Sequence, residues 1–180
     1  MYGLVNKSLE ELLTEQYGED AWETIKEKSG VDIDFFLSNE SYEDEITYKL
    51  VVAATEVLDI SVKEVLNALG EFWILRTGKE KYGGLMETGG ATLEEFLLNL
   101  PIFHNRAMLI YSKLTPPEFR VSDATERSIQ VHYFSQRIGL QELVRGLLQG
   151  LAKMYNTPAT IELLQSRDGG SDHEIFKVSW

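Results

Sequence analysis

With 180 residues, 43% of them hydrophobic, and no cysteine, the chain has material for one sizeable core and excludes disulfides, thiolate ligation, iron–sulfur clusters and covalent C-x-x-C-H attachment together. Its formal net charge of -12 argues against nucleic acid and anionic lipid surfaces, both of which select basic patches. No apolar run approaches the roughly 20 residues of a membrane span, and Asn6, Lys7, Glu10 and Glu11 break any signal-peptide pattern, so the expectation is a soluble, cytoplasmic protein of one domain over 1–180 with no room for a second, output domain.

Val5, Leu9, Leu12 and Leu13 share a face and predict a helix over 3–17, stopped by Gly18. Asp20 with Glu23 opens a short second helix that carries Trp22 and Ile25 and ends near Gly30. Ile46, Leu50, Val51, Ala54 and Val57 form a third stripe. Ser61 with Glu64 caps a fourth helix, whose inward residues are Val65, Leu69, Phe72 and Trp73. The glycine-rich stretch from Lys79 to Gly90 reads as a loop holding one helical turn at most, without phosphate-loop spacing. Thr92 with Glu95 then opens a helix on which Leu93, Phe96, Leu97, Leu100, His104, Met108 and Tyr111 recur every three or four residues; it stops before Pro116 and Pro117. Strands are expected near 118–122 and 127–136. A helix with Leu140, Leu143, Val144, Leu147, Leu151 and Met154 inward follows, and two more strands near 159–165 and 173–180. The order implies an α+β fold: a helical N-terminal half, a mixed half with a four-stranded antiparallel sheet, and a ligand buried between them.

Charge is uneven. Residues 1–45 hold thirteen acids against three lysines, a net of -10, which reads either as a solvated face or as a docking surface for a basic partner.

Two features carry chemistry. Tyr133, Ser135 and Arg137 share the parity of Ile129 and Val131, so on a strand their side chains lie on one face that begins apolar and ends in two hydroxyls and a guanidinium. Burying Arg137 unpartnered would cost several kcal/mol, so an anion should meet it. The planar fork suits a carboxylate or phosphate, and the hydroxyls add donors. Taken alone, Y-x-S-x-R also describes a surface strand with an internal salt bridge. Of the three histidines, His132 lies on the opposite strand face and His173 in the polar turn after Gly169, Gly170, Ser171 and Asp172, so both read as solvated. His104 sits on the apolar stripe, with Leu100 and Met108 where a carboxylate partner one turn away would stand. One inward imidazole and one carboxylate clamp are what haem requires: an axial nitrogen for iron and a hold on the propionates. Without cysteine it must be haem b, iron protoporphyrin IX bound non-covalently.

The opening Met1, Tyr2, Gly3, Leu4, Val5, Asn6, the stretch Gly70 to Trp73, His104, Pro116 and Pro117 followed by Phe119, the run from Tyr133 to Arg137, Gly139 with Leu140, and Asp172 with His173 together resemble the H-NOX family. That family includes the haem domain of the soluble guanylate cyclase beta subunit and free-standing bacterial nitric oxide sensors, and the resemblance spans essentially the whole chain, most similar to cyanobacterial stand-alone members. It implies the H-NOX fold with haem buried between the halves, His104 as the proximal iron ligand, and Tyr133, Ser135 and Arg137 on the propionates. It also implies that Pro117 and Val5 press on the porphyrin, while Trp73 and Leu143 line the gas side. Two positions depart from the family pattern. Pro101, three residues before His104, removes an amide donor and should kink or restart the helix. Leu143 stands where oxygen-binding members carry tyrosine.

The function implied is a non-catalytic, cytosolic haem-based sensor that binds nitric oxide and carbon monoxide, excludes oxygen, and signals in trans by releasing the His104 helix, to a histidine kinase or a cyclic-di-GMP enzyme. Two rivals remain: a haem enzyme of peroxidase type, for which Trp73, Leu143 and Val5 supply no distal acid or base, and a haem-free module for an anionic ligand.

Overall fold

The computed structural model describes residues 1–109 and 117–180. Four helices open the chain: α1 (Gly3–Tyr17), α2 (Glu19–Ser29), α3 (Asp44–Leu58) and α4 (Val62–Phe72). Their ends follow local chemistry. Ser61 Oγ accepts from the Glu64 amide at 3.2 Å while Glu64 Oε2 accepts from the Ser61 amide at 2.7 Å, the reciprocal box that starts α4. α2 stops at Gly30, whose φ of 66° is left-handed.

α4 does not end in a turn. The chain continues as a π-helical segment, Trp73–Gly78, and then as α5 (Lys79–Glu87), so the loop expected over 79–90 is a helix for most of its length. Tertiary contacts override the glycines there: Met86 is buried in the core and Tyr82 stacks on Trp73 with ring centroids 6.0 Å apart. The strain appears instead as a kink at Tyr82, with φ -129° and ψ 15°.

α6 (Leu93–Leu109) leads to the second half, where β1 (Glu118–Thr125), β2 (Ser128–Phe134), β3 (Thr160–Gln165) and β4 (Glu174–Ser179) form one sheet in the order β1-β2-β4-β3. Each neighbouring pair is antiparallel, so the α+β class and the four-stranded sheet are as the sequence implies. α7 (Gln141–Met154) interrupts the strands. The expected stop of α6 before Pro116 falls outside the described residues, as do Tyr111 and the side chain of Met108.

Two cores divide the molecule. One gathers Leu9, Leu12, Leu13, Ile25, Leu50 and Leu69 of the helical half. The other packs Phe96 and Leu97 of α6 and Val144, Leu148 and Leu151 of α7 against Ile129, Val131, Phe176 and Val178 of the sheet. α7 touches both, since Leu140 and Leu143 at its start pack with the helical half. It lies against α4 backbone to backbone: a Cβ at Gly70 would collide with the Leu143 carbonyl, and one at Gly146 with the Asn67 carbonyl. Only glycine permits that approach. No helix among the described residues is long and apolar enough to cross a membrane.

Candidate functional site

α6 presents His104 toward the sheet. Its ring meets Phe119 of β1 edge to face at 4.9 Å and 70°, and Phe119, paired in register with Tyr133 of β2, lies 5.4 Å from the Tyr133 ring. Imidazole, phenyl and phenol thus follow one another across the gap between α6 and β2. Among the described residues, no group hydrogen-bonds the His104 ring. Burial alone lowers its pKa to about 4, so at neutral pH the imidazole is uncharged and keeps a lone pair for a metal.

The position of α6 is set by its first turns. Thr92 Oγ1 accepts from the Glu95 amide at 3.2 Å, but Glu95 Oε2 reaches the Ala91 amide, at 2.7 Å, rather than that of Thr92. Asn99 Nδ2 donates to the Gly89 carbonyl at 2.9 Å, and Phe96 is wedged between the rings of Phe103 and Tyr155. With its start pinned, α6 runs through Pro101 as one element, so the proline does not restart it.

Of the clamp residues, Tyr133 is on the inner sheet face, 4% exposed, as its parity requires. Burial pushes its phenol up, opposed by a hydrogen bond with Ser135. β2 ends at Phe134, two residues earlier than expected, so Ser135 and Arg137 belong to the following bend and not to the strand. There Ser135 Oγ accepts from the Arg137 amide at 3.1 Å, a local turn that competes with ladder pairing. The expected anion is present within the chain. Arg137 Nε donates to Asp44 Oδ2 at 2.8 Å, and Asp44 Oδ1 accepts from the Met1 amine at 2.5 Å. Burial raises the Asp44 carboxyl, but the hydrogen bonds from the amine and from Arg137 outweigh it and hold it below the usual carboxylate range. A second link between α3 and this bend, Tyr48 Oη donating to the Ile138 carbonyl at 3.2 Å, lies at an open cleft of about 510 Å³ lined by Asp44, Tyr48, Gln136, Arg137 and Ile138.

Three residues around the clamp escaped the sequence reading. Asp44 lies 93 positions from Arg137 and was only one acid among many. Arg167 buttresses the bend, its Nη1 donating to the Ser135 and Arg137 carbonyls at 2.7 and 2.9 Å. Glu174, 4% exposed, sits opposite Tyr133 across β2 and β4, and its carboxyl is raised by burial. None carries a local signal; each depends on pairings set far along the chain.

The remaining candidates are spread over both cores. Trp73 packs against the sheet-side core that contains Phe119 and Tyr133, with Gly78 making room for its ring. Val5 and Leu143 pack against the helical-half core. Pro117, half-buried, immediately precedes β1, two residues from Phe119. His132 and His173, expected as separate solvated side chains, instead meet on the outer sheet face.

Among the described residues no group of three or more His, Cys, Asp or Glu side chains is placed to hold a metal ion. An imidazole that burial keeps neutral, with its ring unbonded among the described residues and one aromatic ring from Tyr133, is a nitrogen donor suited to an ion whose other ligands come from a macrocycle, as in a haem-holding domain. The chain belongs to the Haem-NO-binding family, whose model matches residues 2–163, and members of that family bind haem as gas-sensing modules. Soluble guanylate cyclase gcy-31 of Caenorhabditis elegans is 27% identical over 180 residues, 99% of this chain and 26% of that protein. Guanylate cyclase soluble subunit beta-2 of Rattus norvegicus is 28% identical over 123 residues, 65% of this chain and 18% of that one. The chain spans about a quarter of the length of the curated relatives it matches. An H-NOX protein from S. oneidensis in the Fe(II)NO ligation state superposes with a TM-score of 0.88 at 19% identity, covering 99% of this chain and 98% of that one. The Fe(II) unliganded H-NOX protein from K. algicida gives 0.85 at 21%, covering 99% and 96%. The fold is that of the H-NOX proteins.

Proposed function

We propose that residues 1–180 form a single haem-binding sensor domain that takes haem b non-covalently, binds nitric oxide and carbon monoxide, excludes oxygen, and signals in trans to a separate protein in the cytoplasm. The observation that carries this reading is the neutral, half-buried imidazole of His104 standing one aromatic ring from Tyr133.

When bound, haem supplies an iron that takes a diatomic gas reversibly. All else falls to the chain. His104 would hold the iron from α6. Tyr133, Ser135 and Arg137 would hold the propionates from the sheet side, with Arg137, which has five donor hydrogens, adding a propionate to the Asp44 carboxylate it already grips. Pro117 and Val5 would press on the macrocycle, and Trp73 and Leu143 would border the gas. Leu143 would offer no hydrogen-bond donor to a gas on that side, which would disfavour oxygen, whose retention needs one, and leave nitric oxide and carbon monoxide, which need none.

Signalling follows from two tethers. His104 would tie α6, and Arg137 the sheet, to one rigid plane; loss of the His104 bond would let α6 move relative to the sheet. A partner that binds the two arrangements unequally reads that difference and nothing else. A histidine kinase or a cyclic-di-GMP enzyme fits this role.

An absorption spectrum of the purified chain tests the reading. A Soret band that shifts on adding nitric oxide is expected. Colourless protein that ignores added haem would favour the haem-free anion-binding module, and peroxide turnover would favour the enzyme.

A further inference from the structure

The outer face of the sheet carries a cluster that the sensor function does not use. Ser122 of β1 and His132 of β2 are diagonal neighbours, since Ser122 pairs with Gln130, and His173 stands just ahead of β4. Their side chains form one chain of hydrogen bonds. His173 Nδ1 lies 2.6 Å from Asp172 Oδ1, His173 Nε2 lies 2.9 Å from His132 Nδ1, and His132 Nε2 lies 2.8 Å from Ser122 Oγ. The rings are held in place: Phe134 stacks on His173 at 4.1 Å and 19°, and Arg120 covers Phe134 from 4.7 Å while its charge is met by Glu118 at 2.6 Å.

With both rings neutral, the proton positions follow from the carboxylate, which only accepts. Asp172 takes the hydrogen of His173 Nδ1 and leaves Nε2 with a lone pair, which His132 Nδ1–H fills; His132 Nε2 accepts the Ser122 hydroxyl. The two facing nitrogens, one bare and one protonated, are the only ones in the cluster aimed at each other, and both outward nitrogens already have the second-shell partners that a metal-bound imidazole requires.

We propose that His132 Nδ1 and His173 Nε2 bind a borderline divalent ion, zinc or copper(II), in place of the proton between them. The exchange balances without charging either ring. His132 moves its proton from Nδ1 to Nε2 and donates to Ser122 Oγ, and the hydroxyl turns its own hydrogen to Asp123 Oδ2, which already lies 3.4 Å away. Asp172 keeps its hydrogen bond throughout. A tetrahedral ion at about 2.0–2.1 Å from each nitrogen sets them roughly 3.3 Å apart and lies off the line between them, so the rings must part by a few tenths of an ångström and tilt to aim both lone pairs at it. With two protein ligands, water completes the shell and the site exchanges its ion freely. Asp172 and Asp123 add negative charge beside it, and His173 is only 14% exposed.

The test is calorimetric titration of zinc chloride, and separately copper(II), into the chelator-treated full chain at neutral pH. Saturable uptake of one ion per chain is expected, lost in His132→Gln and in His173→Gln, and weakened about 10–100-fold in Asp172→Asn. Electron paramagnetic resonance of the copper-loaded parent should show coupling to two imidazole nitrogens, a readout that needs no variant to fold. Absence of uptake, uptake unchanged in both glutamine variants, uptake lost on His104→Gln instead, or a copper signal without imidazole nitrogen would each overturn the proposal.

Discussion

Replacing Arg137 by alanine removes a link between the sheet-side bend and α3 that carries charge on both sides. The Nε to Oδ2 distance is 2.8 Å, with side-chain exposures of 20% for Arg137 and 37% for Asp44. A fully exposed pair contributes 0 to 1 kcal/mol, and breaking a buried one costs 3–5 kcal/mol. This pair lies between, and Asp44 keeps the Met1 amine when Arg137 is gone, so a loss of about 1–2 kcal/mol is expected. The pH dependence identifies the cause. Asp44 is held below the usual carboxylate range in the fold, so the pair's contribution is complete above the ordinary aspartate value and disappears as pH falls through the depressed one. Urea unfolding of parent and Arg137→Ala at neutral pH, then at successively lower pH, should show the gap closing in acid. In a double-mutant cycle, Asp44→Ala on the Arg137→Ala background should cost less than Asp44→Ala alone. A gap that persists unchanged in acid, or strict additivity in the cycle, would refute the assignment and place the loss in packing of the arginine stem.

His104→Gly should keep the fold at a helix penalty of about 1 kcal/mol and lose the axial bond, with free imidazole restoring the parent spectrum in part; unchanged coordination in the variant would remove His104 from the proposed role. Haem retention should fall by about 2–5 kcal/mol in Arg137→Ala, and by less in Tyr133→Phe and Ser135→Ala, as read by transfer to an acceptor protein; equal retention in all three would mean that the propionates lie elsewhere. The ferrous parent should bind nitric oxide and carbon monoxide and form no stable oxygen complex in air. A persistent oxy spectrum in air would refute this and point to the Trp73 indole N–H as a donor.

The sequence reveals most where the signal is local. The Ser61 and Glu64 pair marks the start of α4 at the right residue, and the alternation of Ile129, Val131 and Tyr133 gives the inner sheet face correctly, because capping and strand parity act over two to four residues. The same parity extended to Ser135 and Arg137 fails, since a serine hydroxyl that bonds an amide two residues on ends the ladder. α5 was hidden by its glycines, and the π-helical segment at Trp73–Gly78 has no residue signature of its own. The Asp44 to Arg137 link was legible only as a need: an arginine that must meet an anion. Which of 29 acids answers it depends on how α3 is laid beside the bend.

Where α4 and α7 cross, main chain rests on main chain at Gly70 and Gly146, with no flexible side chain between to absorb a displacement. A side chain grown at either glycine would wedge the two helices apart. Because α7 packs through Leu140 and Leu143 on the helical half and through Val144 and Leu148 on the sheet side, an alanine at Gly70 or Gly146 would disturb both cores at once.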